Sequence, residues 1–539
     1  MQRSQTEIDL SLPIYSGEQG MTEKEQARAA WVLQALRQSC QLLKEYEQPV
    51  YLVGGSMRNL LLQRPCVDWD IVTSGNIPDL ARRLADHLGG FYAHMHEKAS
   101  RVIVKHEQQE LTLDISPLQG SDIREDLAKR DFTINALAAP FTGVIALIER
   151  SASPGELRAS LSEAIIDPHQ GLRDIATQTL RATTETVFQQ DPLRLLRAMR
   201  FARQYHLTIE AETARYIARD ASLLLQVARE RIHEELYALL RPEGSYENLL
   251  FLDTHHLLTA LIPELEPARG MAQPSLHHWD VFDHSLASVE MLEKLGTLLQ
   301  QSPEEVRCSE LNAGEHDDLL ELQQMLQEAE QQGIFSFTRL LSPPLKVAAL
   351  LHDIGKPITQ AVDEAGNITF YHHPQAGVPL AQQITQRLGI STQDKRLIQQ
   401  VVAHHMRPGQ LSSATVTPRA IRRYFVDMGP NGIYVALVSL ADHLAMRGPE
   451  PLTIHWQRHL ATVRTLLTRY IREREQILPP RLIQSEELIR HFQLQPGPLI
   501  GQLLEAIAEA QAEGEVHSKE EVLWFTEEKL QHIRAQQEK

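Results

Sequence analysis

Between residues 48 and 140 the apolar positions come in short runs, PVYLVGG, VDWDIVT, GGFYAH, RVIVKH and ELTLDIS. These are rich in β-branched or alternating residues and predict five β-strands. PDLARRLADHL, between the second and third runs, has helical spacing, as have residues 22–46, where polar residues dominate the start. Beyond about residue 190 the period changes: DPLRLLRAMRFARQYH, AETARYIARDASLLL and ARERIHEELYALLR read as amphipathic helices, and strand signals nearly vanish. The pattern predicts an α+β chain, with a mixed α/β N-terminal head followed by all-α domains. Two polar segments, 149–163 and 300–335, read as insertions. No fixed-period repeat is present.

At 539 residues the chain exceeds one ordinary core, so about three to five domains are expected, with room for two active sites. Hydrophobic residues at 42% and charged ones at 23% suit a folded, water-soluble chain. No apolar run reaches the length of a membrane span. The first twenty residues lack the basic and apolar regions of a secretory signal. Cys40, Cys66 and Cys308 lie far apart with no metal-ligand spacing, which fits a reduced, cytoplasmic compartment. A net charge of −17 opposes diffuse attraction to nucleic acid, so an RNA partner requires a local basic surface.

The second strand run places Asp68 and Asp70 one residue apart, and in a strand residues i and i+2 share a face. Two ionised carboxylates that close repel unless a cation lies between them, and hard oxygen donors beside phosphates suit Mg²⁺. LTLDIS offers Asp114 as a third acid. Three carboxylates on adjacent strands can hold two ions about 3.5–4 Å apart, a pair that assists both attack by a hydroxyl and departure of pyrophosphate. Gly54 and Gly55, which carry no side chains, let backbone N–H groups approach a triphosphate at a helix start, and Arg58 adds a charge there. Taken alone, these short motifs also fit a plain turn and an edge-strand acid.

LVGGSMRN, DWD, DLAKRDFTINAL (126–137), IDPHQGLRD (166–174) and DPLRLLRAMRFAR (191–203), in this order, resemble the bacterial tRNA nucleotidyltransferase and poly(A) polymerase family, class II of the polymerase-beta-like superfamily. ARERIHEEL at 228–236 is similar to the next motif of that family. The resemblance implies template-free addition of C or A, from CTP and ATP, to an RNA 3′ end. It implies that Asp68 and Asp70 bind the metals and that Arg130 and Asp131 contact the sugar and phosphates of the incoming nucleotide. Asp191 and Arg194 are implied to read its base.

The last role has an independent physical basis. Cytosine and adenine each set an amino donor beside an acceptor nitrogen, and an Asp beside an Arg matches that edge while opposing guanine and uracil. Arg194, Arg197, Arg200 and Arg203 recur every third residue, so their stripe drifts by about 60° per step. They cannot all face one ligand. Arg194 is the candidate for the base and Arg197 a further nucleotide-binding candidate, although a salt-bridged structural role is the plainer reading for all but Arg194. The family usually has Asp where this chain has Asn59, and Glu where it has Gln190.

From residue 277 the chain reads HHWDVFDHS, then LLHDIGKP, FYHHPQAG, VVAHHMRPG and SLADHLAMRG. This ordered series resembles the HD metal-dependent phosphohydrolase superfamily, with His284, His352, Asp353, His373, His405 and Asp442 at the matching positions. Imidazole and carboxylate ligands suit a divalent transition metal that activates water against a phosphate ester. His352 and Asp353 are expected in the middle of one helix. His277, His278 and His404 remain open between a supporting role and a place on the surface. Residues 480–526 resemble the C-terminal helical portion of CCA-adding enzymes that carry an HD domain.

The expected organisation is an extension at 1–25, a catalytic head at 26–180, a nucleotide-reading and RNA-binding neck at 181–265, an HD domain at 266–465 and a tRNA-binding tail at 466–539. The expected partners are tRNA, CTP and ATP, with no membrane. The competing readings are a specialist that adds only CC or only A, a poly(A) polymerase, and a catalytically inactive RNA- or nucleotide-binding relative. Against the last stand the intact Asp68, Asp70, Asp131, Asp191 and Arg194.

Overall fold

The computed structural model describes residues 23–537 apart from 67, 96–98, 108, 275, 313–316, 414–415 and 451. The predicted extension at 1–25 lies almost wholly outside the described residues. The chain divides into two units, 1–227 and 228–539, and the division falls within the stretch read as the neck.

In the first unit a six-stranded sheet has the order β3-β4-β5-β2-β1-β6. The strands are β1 Val50–Val53, β2 Asp68–Thr73, β3 Phe91–His94, β4 Ser100–His106, β5 Gln109–Pro117 and β6 Ala138–Pro140. All neighbours pair antiparallel except β2 and β5, which run parallel. The five predicted strands form. The sixth, Ala-Ala-Pro, has neither the length nor the β-branched residues that announce a strand, and pairing with β1 creates it.

Along β2, Trp69, Ile71 and Val72 are buried while Asp68 is exposed and Asp70 half-buried, so the alternation read from the sequence sets both acids opposite Trp69. The helix Ile77–Leu88 is capped at its start by Asn76, whose side chain accepts from the Asp79 N–H at 3.2 Å, and stops at Gly89 in the left-handed region. Such a cap is worth about 1 kcal/mol. Val53, Val72, Ile123, Leu127, Ala136 and Ala138 form one core cluster. The segment read as an insertion at 149–163 is largely a helix, Pro154–Ala164.

The second unit is helical, and its described strands are the hairpin pair Ala361–Val362 and Ile368–Thr369. Helices Val281–Leu298 and Asn431–Arg447 bury residues around much of their circumference, as a helix at the centre of a helical domain must. The expected mid-helix position of His352 and Asp353 is corrected: Pro343–Leu351 ends one residue before them, and the pair occupies the following turn. Gly355 accounts for the break, because it packs so closely on the next segment that an added Cβ would lie 2.1 Å from the carbonyl oxygen of His373. The segment 300–335 contains helices Pro303–Cys308 and Asp318–Gln331. Residues 482–525 close a small cluster of their own around Leu488, Ile507 and Val522.

Candidate functional site

Two constellations form, one in each unit. In the first, parallel pairing sets Asp70 level with Asp114 across β2 and β5. The helix Gly54–Leu61 begins directly after β1. Gly54 has φ of +62°, and an added Cβ would lie 2.8 Å from Arg130 Nη1 and 3.3 Å from Asp70 Oδ2. The backbone conformation therefore favours Gly, and an added Cβ would also crowd the end of the Arg130 side chain. The Gly55 N–H donates to Asp70 Oδ2 at 3.1 Å, so this helix start holds a carboxylate of the chain itself. Ser56 Oγ accepts from the Asp70 N–H at 2.7 Å, which fixes the strand against the helix.

Burial pushes the Asp70 carboxyl up; the Arg130 guanidinium opposes this and the Asp114 carboxylate adds to it. A partly buried acid raised by another acid beside it is an arrangement that a divalent cation relieves, and the oxygen donors Asp68 and Asp70 fit a hard ion. Asp114 has a partner of its own: Arg101, level with it on β4, donates to both carboxylate oxygens at 2.6 and 2.8 Å. Arg130 is held by Asp126 through two bonds of 3.0 Å.

Asp131 and Arg197, both candidates for the nucleotide, meet each other. Arg197 Nε and Nη2 donate to Asp131 Oδ2 at 3.0 and 2.7 Å, and Asp131 Oδ1 accepts from Asn135 Nδ2 and the Phe132 N–H. Burial alone would raise the Asp131 carboxyl, but Arg197 and these donors hold it below the usual carboxylate range. The pair contributes stability that is present at neutral pH and is lost as pH falls through the lowered value. Arg197→Met strands a carboxylate that is 6% exposed, and it is expected to destabilise the first unit by about 2–3 kcal/mol at pH 7. The gap from the unaltered protein should narrow towards pH 4 as the stranded acid takes up a proton; urea unfolding at the two pH values measures it.

Arg58 is buried. It donates to Asn135 Oδ1 at 2.5 Å and to Tyr205 Oη at 2.7 Å, and its guanidinium lies 4.3 Å from the Tyr205 ring centroid. Asn59 Oδ1 also accepts from Arg58, at 3.0 Å, so the amide oxygen serves as acceptor at the position where the family usually has Asp. Asp191 Oδ1 accepts from the Leu193 N–H at 3.2 Å, at the start of the helix Arg194–Gln204. Arg194 Nη2 donates to the Lys129 carbonyl at 2.8 Å, which ties it to the segment carrying Arg130 and Asp131. Gln190 bonds to Thr186.

In the second unit the structure brings together all six predicted residues. His284 Nε2 lies 2.9 Å from Asp442 Oδ1, and His352 Nε2 lies 3.2 Å from Asp353 Oδ2 and 3.5 Å from Asp442 Oδ1. The other oxygen of Asp353 lies 3.2 Å from His373 Nε2 and 3.5 Å from His405 Nε2. Asp353 thus stands between two groups, one of His284, His352 and Asp442, the other of His373 and His405.

Three of the imidazoles sit at helix ends and repeat one device. His352, His373 and His405 each direct Nδ1 to the carbonyl three residues earlier, at 2.7, 2.8 and 3.1 Å. A carbonyl accepts, so Nδ1 carries a proton and Nε2 is the nitrogen turned towards the centre. His352 Nε2 is buried without a well-aligned hydrogen bond, although the carboxylates surround it, and this is the condition of a ligand atom. Burial disfavours charge on His352, yet Asp353 and Asp442 push it up to about 10. Burial likewise opposes ionisation of the two acids, and His352 leads the groups that hold both well below the usual range. A divalent cation would supply the same positive charge to the same oxygens. The sets His284–His352–Asp442 and His352–Asp353–His405 each gather their donor atoms within 4.8 Å of one another.

A cavity of about 400 Å³ opens on this centre, with His277, Lys356, Phe370, Tyr371 and Met446 among its lining residues. His277 is a neighbour of the centre, its ring edge-on to His284 at 5.6 Å, whereas His278 is exposed and His404 half-buried. Sequence reasoning missed Lys356, three residues after Asp353 in the same HDIGK string, and Arg101, whose role depends on the β4–β5 register. No helix among the described residues is long and apolar enough to cross a membrane.

Family models match the chain in three places: "Poly A polymerase head domain" at residues 50–122, "Probable RNA and SrmB-binding site of polymerase A" at 206–269, and "HD domain" at 335–447. The A-adding tRNA nucleotidyltransferase of Deinococcus radiodurans is 30% identical over 485 residues, 88% of this chain and 94% of that protein. The CC-adding tRNA nucleotidyltransferase of Thermus thermophilus is 29% identical over 88% of this chain and 92% of its own length. A solved CCA-adding enzyme in complex with ATP is similar in fold, with a TM-score of 0.56 and 20% identity, covering 93% of this chain and 95% of that one.

Proposed function

Because the chain belongs to the tRNA nucleotidyltransferase family and carries an HD domain, we propose that it transfers CMP and AMP from CTP and ATP to the 3′ hydroxyl of tRNA without a template. The observation that carries this reading is the carboxylate face of β2 at the start of the helix Gly54–Leu61, with Asp114 level with Asp70. Asp68 and Asp70 would hold Mg²⁺, with Asp114 as the third acid. Bound there, the ions supply charge to the attacking and leaving oxygens. Arg130, whose Nη1 lies close to Gly54, would meet the triphosphate, and Asp191 with Arg194 would replace the template strand. Tertiary fixing of Arg194 on the Lys129 carbonyl keeps that pair in one orientation relative to the head segment. The cytoplasm is the proposed compartment, in keeping with the unpaired Cys40, Cys66 and Cys308.

At the second centre, His284, His352, Asp353, His373, His405 and Asp442 would hold one or two transition-metal ions for hydrolysis of phosphate esters, including cyclic phosphates at damaged RNA ends.

A second reading has a specific observation in its favour. The relatives similar over 88% of this chain include an A-adding and a CC-adding tRNA nucleotidyltransferase. A single experiment separates the readings: incorporation of each nucleoside triphosphate into tRNA ending at the discriminator base, at C, and at CC. The full activity requires CTP on the first two and ATP on the third, with GTP and UTP used at least about 100-fold less well, as expected of a site that hydrogen-bonds its base. Equal use of all four nucleotides would refute the base-reading role. Incorporation of CTP alone, on the first two, or of ATP alone, on the third, would establish a specialist.

A further inference from the structure

We propose that Gln273 is a positioning residue of the histidine–aspartate centre, where it holds the Lys356 ammonium towards the phosphate oxygens of a substrate in the cavity. This rests on the reading of that centre as a phosphohydrolase site.

Lys356 is 6% exposed and lines the cavity. An ammonium has three donors. One goes to Asp353 Oδ2 at 2.5 Å and one to Gln273 Oε1 at 2.6 Å, which leaves a third for the cavity. The Phe370 ring, 5.5 Å from Nζ, adds an aromatic neighbour there.

Gln273 is itself fixed. Its Nε2 donates to the carbonyls of Trp279 and Asp280, each at 3.2 Å, so both hydrogens are used and Oε1 must be the atom that meets Lys356. The carbonyl partners belong to the chain that enters the helix Val281–Leu298, which carries His284. Asp280 caps that helix by accepting from the Asp283 N–H at 2.7 Å and braces the loop by accepting from the Gly270 N–H at 2.6 Å. The amide is thus anchored to the framework of the centre.

The consequence follows from competition for one oxygen. Asp353 Oδ2 is a candidate metal donor, and an ion bound there draws on the lone pairs that Lys356 also uses. Gln273 Oε1 is no part of the ligand set, so its bond to Lys356 persists in either state. The ammonium then stays on the wall of the cavity, where it can meet negative charge that develops on a phosphoryl group.

The test uses the full chain loaded with Mn²⁺ and the probes bis(p-nitrophenyl) phosphate and 2′,3′-cyclic AMP. Gln273→Leu is expected to lower kcat/KM for hydrolysis by about 10- to 100-fold, with bound manganese and tRNA addition unchanged; Gln273→Met, unbranched, should do the same. Lys356→Met should cost at least as much, and adding Gln273→Leu to it should change the rate by less than about twofold, because residues that act as a unit are not additive. Undiminished hydrolysis in both Gln273 variants overturns the proposal. So does an equal loss in the presence and absence of Lys356, which marks a general structural effect. Absence of hydrolysis by the unaltered protein overturns the reading of the centre, and the proposal with it.

Discussion

Asp70→Asn is expected to lower nucleotide incorporation by at least about 10³-fold, or about 4 kcal/mol of transition-state stabilisation, while the first unit stays folded. The substitution keeps the shape of the side chain and leaves an oxygen to accept from the Gly55 N–H, so the junction between β2 and the helix Gly54–Leu61 survives. What disappears is one of the two negative charges that a cation would join. Asp70 is the more telling of the pair. It lies beside Asp114 and within the field of Arg130, whereas Asp68 at the strand end is exposed. Single-turnover incorporation on tRNA lacking its 3′ end, with circular dichroism as a control on folding, measures the effect. Incorporation within tenfold of the unaltered protein would sink the metal role.

Asp353→Asn should remove hydrolysis at the second centre, again by at least about 10³-fold, and leave incorporation into tRNA within about twofold. Both oxygens of Asp353 are engaged, one towards His352 and Lys356 and one towards His373 and His405. An amide in that place removes the negative charge and one of the two acceptor oxygens that these partners share. Bound metal, measured by mass spectrometry, should fall with activity. The second unit should lose about 2–4 kcal/mol in the metal-free protein, because a buried anion that compensates two cationic groups is gone. A simultaneous loss of tRNA addition would show that the centre serves the transferase instead of a reaction of its own.

Much of this was legible in the chain. The two-residue period of a strand was enough to place Asp68 and Asp70 on one face, and the ordered motifs were enough to collect six remote residues at one centre. What escaped was set by partners far away in sequence. Nothing near Asp114 announces that Arg101 lies level with it across β4 and β5, and nothing near Arg58 announces the Tyr205 ring. The arginine stripe raised the question of which guanidiniums are structural; Arg197 meets Asp131, a residue the motifs also implicate with the nucleotide. His352 and Asp353 are expected in mid-helix but occupy a turn, and the close packing of Gly355 on His373 is a tertiary constraint with no local signature.

The carbonyls that accept from His352, His373 and His405 lie only three residues away along the same chain. Each ring is therefore aimed by its own helix end, as soon as that end forms and before any distant helix arrives. Assembly of the centre reduces to docking segments whose reactive atoms already point the right way, with little search left among tautomers and rotamers. The long connections between helices, including the polar stretch at 300–335, are accordingly free to change in length without disturbing the aim of these three rings.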